Sequence, residues 1–289
     1  MGRKMEQDNS YLIQEEIRRI RKKMFLTAYP LKTAHLASAF SIAEIMFVLY
    51  KKIMNINPNN INSYERDHFI MSKGHAALSQ YVMLNEIGIV GDDLLKTFCL
   101  PGKSLGGEGS RHDCPGVETA TGSLGHGLGF GVGQAIALKM NNSSSKVYVI
   151  VGNGEINEGV IWESVMAAYK FKLDNLVVIL DDNKIQKMGP TSETMRIDSW
   201  YDKWAAFGWT VDEIKNGHDI NEIESVLKKE NQKDTPRVII ANTIKGKGVS
   251  IIENDASWHW RMPKKKELEV FKAELNITEE ELEECKNRI

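Results

Sequence analysis

Two apolar runs constrain the fold of this chain more than any other feature. Val147-Tyr148-Val149-Ile150-Val151 leads directly into Gly152-Asn153-Gly154, and Leu176-Val177-Val178-Ile179-Leu180 leads into Asp181-Asp182-Asn183. Each run is short and uninterrupted, the pattern of a strand buried on both faces. Between them the sequence predicts a helix from about Asn157 to Lys172, with Trp162, Val165, Met166 and Tyr169 on one face. Trp209-Thr210-Val211, a helix near Ile220 to Lys229 and a run from Val238 to Asn242 continue the alternation. Strands separated by helices predict an α/β fold with a parallel, doubly wound sheet.

Upstream, apolar positions recur at helical spacing from Tyr11 to Tyr29. Ser41-Ile42-Ala43-Glu44 reads as a capping box opening an apolar helix that runs to about Met54. Ala76 to Ile87 reads as a buried helix, and Leu124 to Lys139 as a tightly packed one within the glycine-rich stretch Gly102 to Gly133. Asn141 to Ser145 reads as a loop, and the tail from Lys264 as helical, with Thr278-Glu279-Glu280-Glu281 as a second capping box. No repeat or linker divides the chain, so residues 1–289 are expected to form one domain with helical extensions at both ends.

Composition narrows the function classes. Lys and Arg number 37 against 39 Asp and Glu, a formal charge of −2, which implies no general nucleic-acid surface. No apolar run approaches the ~20 residues of a membrane helix, and the first six residues lack a signal peptide's apolar core. Cys99, Cys114 and Cys285 are few and widely spaced, which predicts reduced thiols and a cytoplasmic protein.

In an open parallel sheet, ligands bind beyond the carboxyl ends of the strands. Gly152 and Gly154 would let backbone amides approach an anion, and the following helix offers its amino end to a phosphate. Asn153 and Asn183 carry the hard oxygens that Mg²⁺ accepts beside phosphate. This arrangement suits a metal-bound diphosphate. The spacing by itself also suits a tight strand–helix turn followed by an ordinary polar loop.

Gly152-Asn153-Gly154-Glu155 with Asp182-Asn183 resembles the thiamine diphosphate motif, Gly-Asp-Gly followed by Asn about thirty residues on. Glu158-Gly159, Trp162-Glu163 and Lys172-Leu173-Asp174-Asn175-Leu176 extend the match. So do Arg66-Asp67, Ser72-Lys73-Gly74-His75, Pro115-Gly116-Val117-Glu118, Thr121-Gly122-Ser123-Leu124-Gly125, Lys245-Gly246-Lys247-Gly248 and Trp258-His259. In that order, over nearly the whole chain, they resemble the amino-terminal, diphosphate-binding domain of the transketolases.

The resemblance implies a split enzyme: this chain, a separate pyrimidine-binding subunit, and a two-plus-two heterotetramer, with the coenzyme between the two domain types. It implies transfer of a two-carbon ketol unit from a ketose to an aldose, on sugars or sugar phosphates. By the same resemblance His35, His75 and His259 are active-site histidines that exchange protons with substrate hydroxyls, and His75 and His259 also contact the coenzyme. Gly122, Leu124, Gly152, Gly154, Glu155 and Asn183 match coenzyme-binding positions, and Asn153, Asn183 and the Ile185 carbonyl match metal ligands. Glu158 and Glu163 match acids that link the family's two sites.

Three departures stand out. Asn153 replaces the family's metal-binding Asp, removing a charge from beside the cation. Gly107-Glu108-Gly109 stands where the family reads Gly-His-Pro, which puts an acid at a catalytic-site position and points to a modified sugar. A shifted loop with Glu108 in solvent is the alternative there. Ala34-His35-Leu36-Ala37-Ser38 lacks the family's glycines, narrowing the space at His35. Two other functions stay open at this level: a different thiamine diphosphate carboligase or decarboxylase, and a non-catalytic homologue, for which Asn153 is the main support.

Overall fold

The computed structural model describes residues 2–287. Its centre is a five-stranded, wholly parallel sheet: β1 (His68–Met71), β2 (Val147–Gly152), β3 (Leu176–Asp182), β4 (Thr210–Ile214) and β5 (Arg237–Asn242). The spatial order is β1-β2-β3-β5-β4, so the chain passes over β5 to lay down β4 at the edge before returning. In register, Val149 pairs with Val178, and Val178 with Val238.

Side chains alternate between two cores, one on each face of the sheet. Phe69, Tyr148, Ile150, Val177, Ile179 and Ile239 join the core built with the helices Gly2–Ala28, Ala43–Val48 and Ala77–Glu86. Ile70, Val149, Val151, Val178, Leu180 and Val238 join the core under the helices His126–Met140, Gly159–Lys170 and Trp200–Ala206. The parallel, doubly wound reading therefore holds. The 126–140 helix lies very close to the sheet, because a Cβ on Gly127 would meet Ser72 at 2.5 Å and one on Gly131 would meet Val149 at 2.7 Å. The first helix turns Ile17, Ile20, Met24 and Phe25 inward, one stripe at helical spacing. None of the described helices is long and apolar enough to cross a membrane.

Local readings differ from the structure in four places. The Ser41–Glu44 capping box does not form: the helix begins after Ile42 with no side-chain cap. Ser41 Oγ instead donates to Ser38 O and to Asp181, while Glu44 pairs with Arg21 at 2.6 Å and His218 at 3.0 Å. That segment continues as a π-helical turn over Leu49–Ile53. The helix expected from Asn157 starts at Gly159, after a 3₁₀ turn at Glu155–Asn157. Its apolar face is also divided, with Val165 buried but Met166 and Tyr169 exposed. The box at Thr278 does form, with Thr278 Oγ1 accepting from Glu281 N and Glu281 accepting from Thr278 N.

Candidate active site

The site occupies the carboxyl edge of the sheet, where Lys73, Asn153, Asn183 and Thr243 follow just beyond the ends of β1, β2, β3 and β5. Asp181, at the end of β3, is its hub. One carboxylate oxygen accepts from Lys73 Nζ at 2.6 Å, Asn183 Nδ2 at 2.8 Å and Ser41 Oγ at 3.0 Å; the other accepts from Thr243 Oγ1. Burial alone would push its pKa up, but the Lys73 ammonium and these donors outweigh that and hold it down. Lys73 is 1% exposed and is also anchored to Ser38 O at 3.0 Å.

Around this pair stand the three histidines that the sequence singles out. The ring centroids of His35, His75 and His259 form a triangle with sides of 5.2, 5.2 and 5.4 Å. Burial, then the nearby lysines, lowers the pKa of His35 to about 4 and that of His259 to about 3; burial and Lys73 hold His75 well below its ordinary value. All three rings are therefore neutral at pH 7, able to accept a proton at one nitrogen and donate from the other. Lys245 Nζ lies 3.2 Å from His259 Nδ1 and reaches the carbonyls of Ile185 and Gln186 at 3.4 and 3.5 Å. Burial and the proximity of Lys73 lower the Lys245 pKa to about 8. Charged, it donates to Nδ1 and leaves the His259 proton on Nε2.

The candidate metal ligands are also brought together. Asn153 Nδ2 donates to Asn183 Oδ1 at 3.3 Å and to Thr191 Oγ1 at 3.2 Å, and Asn183 Oδ1 also accepts from Ile185 N at 3.1 Å. Turning the Asn153 amide over would set two amide oxygens side by side, an orientation fixed only by the surrounding hydrogen bonds. Among the described residues no cluster of three His, Cys, Asp or Glu could hold a metal. A cation here would meet neutral oxygens and need anionic oxygens from its ligand, which a diphosphate provides. The residues fit that pair.

Glycines and acids divide into two groups. Gly154 lies beside Gln186, whose side chain a Cβ there would meet at 3.6 Å. The Gly152 amide is not open to an anion: it donates to Glu155 Oε2 at 3.0 Å. Glu155 points inward, its other oxygen accepting from Ser72 Oγ at 2.5 Å and Gly125 N at 2.8 Å. It pins three loop segments together, with the Gly152 amide already engaged by its carboxylate. Gly122 and Leu124 are exposed at the rim. Glu108 is exposed to solvent, and it also lines a cavity of about 380 Å³ together with His35, His75, Cys99 and Trp260. A Cβ on Gly122 would lie 3.9 Å from it.

Sequence reasoning missed Lys73, Asp181 and Lys245 as members of the site, although Lys73 and Lys245 lie inside quoted motifs. Their lowered exposure and mutual pairing appear only in three dimensions.

Comparisons with known proteins place the fold and the sequence in a family. Residues 14–286 match the family model described as "Transketolase, thiamine diphosphate binding domain". An apulose-4-phosphate transketolase subunit from Actinobacillus succinogenes is 40% identical over 264 residues, covering 91% of this chain and 95% of that one. A 6-deoxy-6-sulfo-D-fructose transketolase subunit of a Clostridium species is 37% identical, covering 86% and 90%. The transketolase structure from Leishmania mexicana superimposes with a TM-score of 0.84 at 28% identity, over 94% of this chain and 44% of the larger one. On fold and sequence alike, this chain belongs to the transketolase family, as a counterpart of its amino-terminal, thiamine diphosphate-binding domain.

Proposed function

We propose that this chain is the diphosphate-side subunit of a two-chain transketolase, moving a two-carbon ketol unit from a ketose to an aldose, with a modified sugar among its substrates. The observation that carries the proposal is the cluster of three neutral imidazoles, two of which, His35 and His75, line one cavity with Glu108. The relatives named as subunits, of similar length and each named for an unusual sugar, support it.

Thiamine diphosphate, when bound, supplies an electron sink at the donor's carbonyl carbon. Asn153, Asn183 and the Ile185 carbonyl would hold Mg²⁺ with the diphosphate, and the buried Lys245 ammonium would offset its charge. Gly154 and the rim residues Gly122 and Leu124 would border the coenzyme. His35, His75 and His259 would move protons to and from substrate hydroxyls. Each ring is neutral at rest, takes a proton on its free nitrogen to become imidazolium and returns it in the reverse transfer, and Lys245 sets the tautomer of His259. The Glu108 carboxylate accepts hydrogen bonds from sugar hydroxyls and repels a phosphate brought near the reacting carbons.

A separate pyrimidine-binding subunit would complete the site. Phe130, 54% exposed, and Met166, 52% exposed, lie on two of the helices covering the second core, and Leu124 joins them as an unshielded apolar group at the rim. Interfaces above ~2,000 Å² are normal for obligate partners, and closed two-fold symmetry favours two of each chain. Residues 1–289 would act as one diphosphate-side domain, in the cytoplasm, where the unbridged Cys99 and Cys114 stay reduced.

The test is ketol transfer by the reconstituted complex on ordinary pentose phosphates and on deoxy or otherwise modified sugars. The wild-type complex should prefer the modified set, and Glu108→His should shift preference several-fold toward the ordinary pair. Efficient use of ordinary pentose phosphates, unchanged by Glu108→His, would contradict the assignment to Glu108.

A further inference from the structure

Trp260 is the exposed tryptophan of the chain. Trp200, Trp204, Trp209 and Trp258 are buried and Trp162 is half-buried, whereas Trp260 is 60% exposed. An indole this open has an apolar surface free to meet a ligand. It is not loose. His259 on one side is tied to Lys245, and Arg261 on the other lies 3.7 Å over the ring of buried Trp258 while pairing with Glu267. The indole lies nearly parallel to His35, at 20° and 6.0 Å between centroids, and lines the cavity that also holds His75, Phe98 and Glu108. The cavity thus contains an aromatic surface as well as a carboxylate.

We propose that Trp260 is a specificity-determining residue, an indole wall that selects sugars presenting a deoxygenated or branched carbon face toward it while Glu108 takes their hydroxyls. The inference rests on the transketolase reading above and adds the class of sugar. A ring face covers C–H groups well but offers no lone pair in its plane. A hydroxyl pressed against it loses water and gains no full partner, which is costly. A carbon bearing hydrogen or an alkyl branch there loses nothing. A single such group in an apolar pocket discriminates by roughly 10–200-fold.

The experiment uses the two-chain complex with ribose 5-phosphate and 2-deoxyribose 5-phosphate as acceptors. Trp260→Ala should lower the preference for the deoxy acceptor, as a ratio of kcat/KM values, by about tenfold, and through KM. Trp260→Phe, which keeps an aromatic wall, should restore most of it. Equal losses on both acceptors, carried by kcat, would show that Trp260 only positions His35 and would overturn the proposal; so would no loss at all. Binding is read separately by tryptophan fluorescence. The deoxy sugar should change the emission of the wild-type complex at lower concentration than the hydroxylated one, and the change should vanish in Trp260→Phe. That readout needs no turnover. If no ketose is turned over, the transketolase reading fails, and the fluorescence still decides for or against the indole wall.

Discussion

The inner and outer parts of the site are built on different plans. Inside, the polar groups are held by this chain's own residues: Asp181 takes Lys73, Asn183, Ser41 and Thr243, and Lys245 is tied to His259 and two carbonyls. Outside, Gly122, Leu124, Phe130 and Met166 stand exposed, with their apolar groups uncovered. The chain fixes the groups that handle charge and protons by itself. It leaves the rim to another surface. Stability should therefore reside in the inner region and assembly in the outer one, and substitutions can separate the two.

The largest effect is expected at the core pair. Lys73→Met leaves Asp181 buried without its cation, and removing one partner of such a pair costs about 3–5 kcal/mol. Urea unfolding should show that loss, with part of it recovered in Lys73→Met combined with Asp181→Asn. At the rim the expectation reverses. Phe130→Glu should leave unfolding of the isolated chain within about 0.5 kcal/mol of wild type, as for an exposed position. It should nevertheless weaken association with the pyrimidine-binding partner by tenfold or more in sedimentation. A stable Lys73→Met chain, or a Phe130→Glu chain that assembles normally, would erase the distinction.

Two smaller effects sharpen it. Lys245, with a pKa of about 8, is charged at pH 7 and loses its proton as the pH rises past 8. Thiamine diphosphate affinity should then fall by up to about tenfold per pH unit. Lys245→Arg should flatten that dependence, because guanidinium stays charged; an unchanged slope would place the diphosphate elsewhere. The smallest effect belongs to Asn153→Asp. It restores a charged ligand but forfeits the amide's donation to Asn183 and Thr191. The Mg²⁺ concentration for half-saturation should drop by roughly threefold to tenfold, since ligand charge tunes such sites. Identical titrations would show that Asn153 is not a ligand.

The same inner–outer division marks what could be read from the sequence. β2, β3 and β5 were legible because central strands buried on both faces must be apolar throughout. β1 was not: it is four residues long and begins with His68, whose ring bonds to Glu118 and Gln134. The short helix Trp200–Ala206 left too little periodicity to recognise. Ser41 and Glu44 fit a local capping pattern, but Ser41 finds Asp181, 140 residues on, and Glu44 finds Arg21. A window of four residues cannot show that. His35, His75, His259, Asn153 and Asn183 were legible through their motifs, and the structure gathers them. The Lys73–Asp181 pair joins residues 108 apart, and the sealing of Glu155 by Gly125 and Gly152 is likewise a product of the fold.

The most direct test of the account's central claim, that this chain builds one self-contained half of a shared site, is ketol transfer measured with the chain alone and after adding a pyrimidine-binding transketolase partner. Both arms contain saturating thiamine diphosphate and Mg²⁺. The account predicts a folded chain with no turnover alone, and turnover that rises as the partner is added and saturates near one-to-one stoichiometry. Full turnover by the purified chain alone, or none at any ratio of the two, would contradict it.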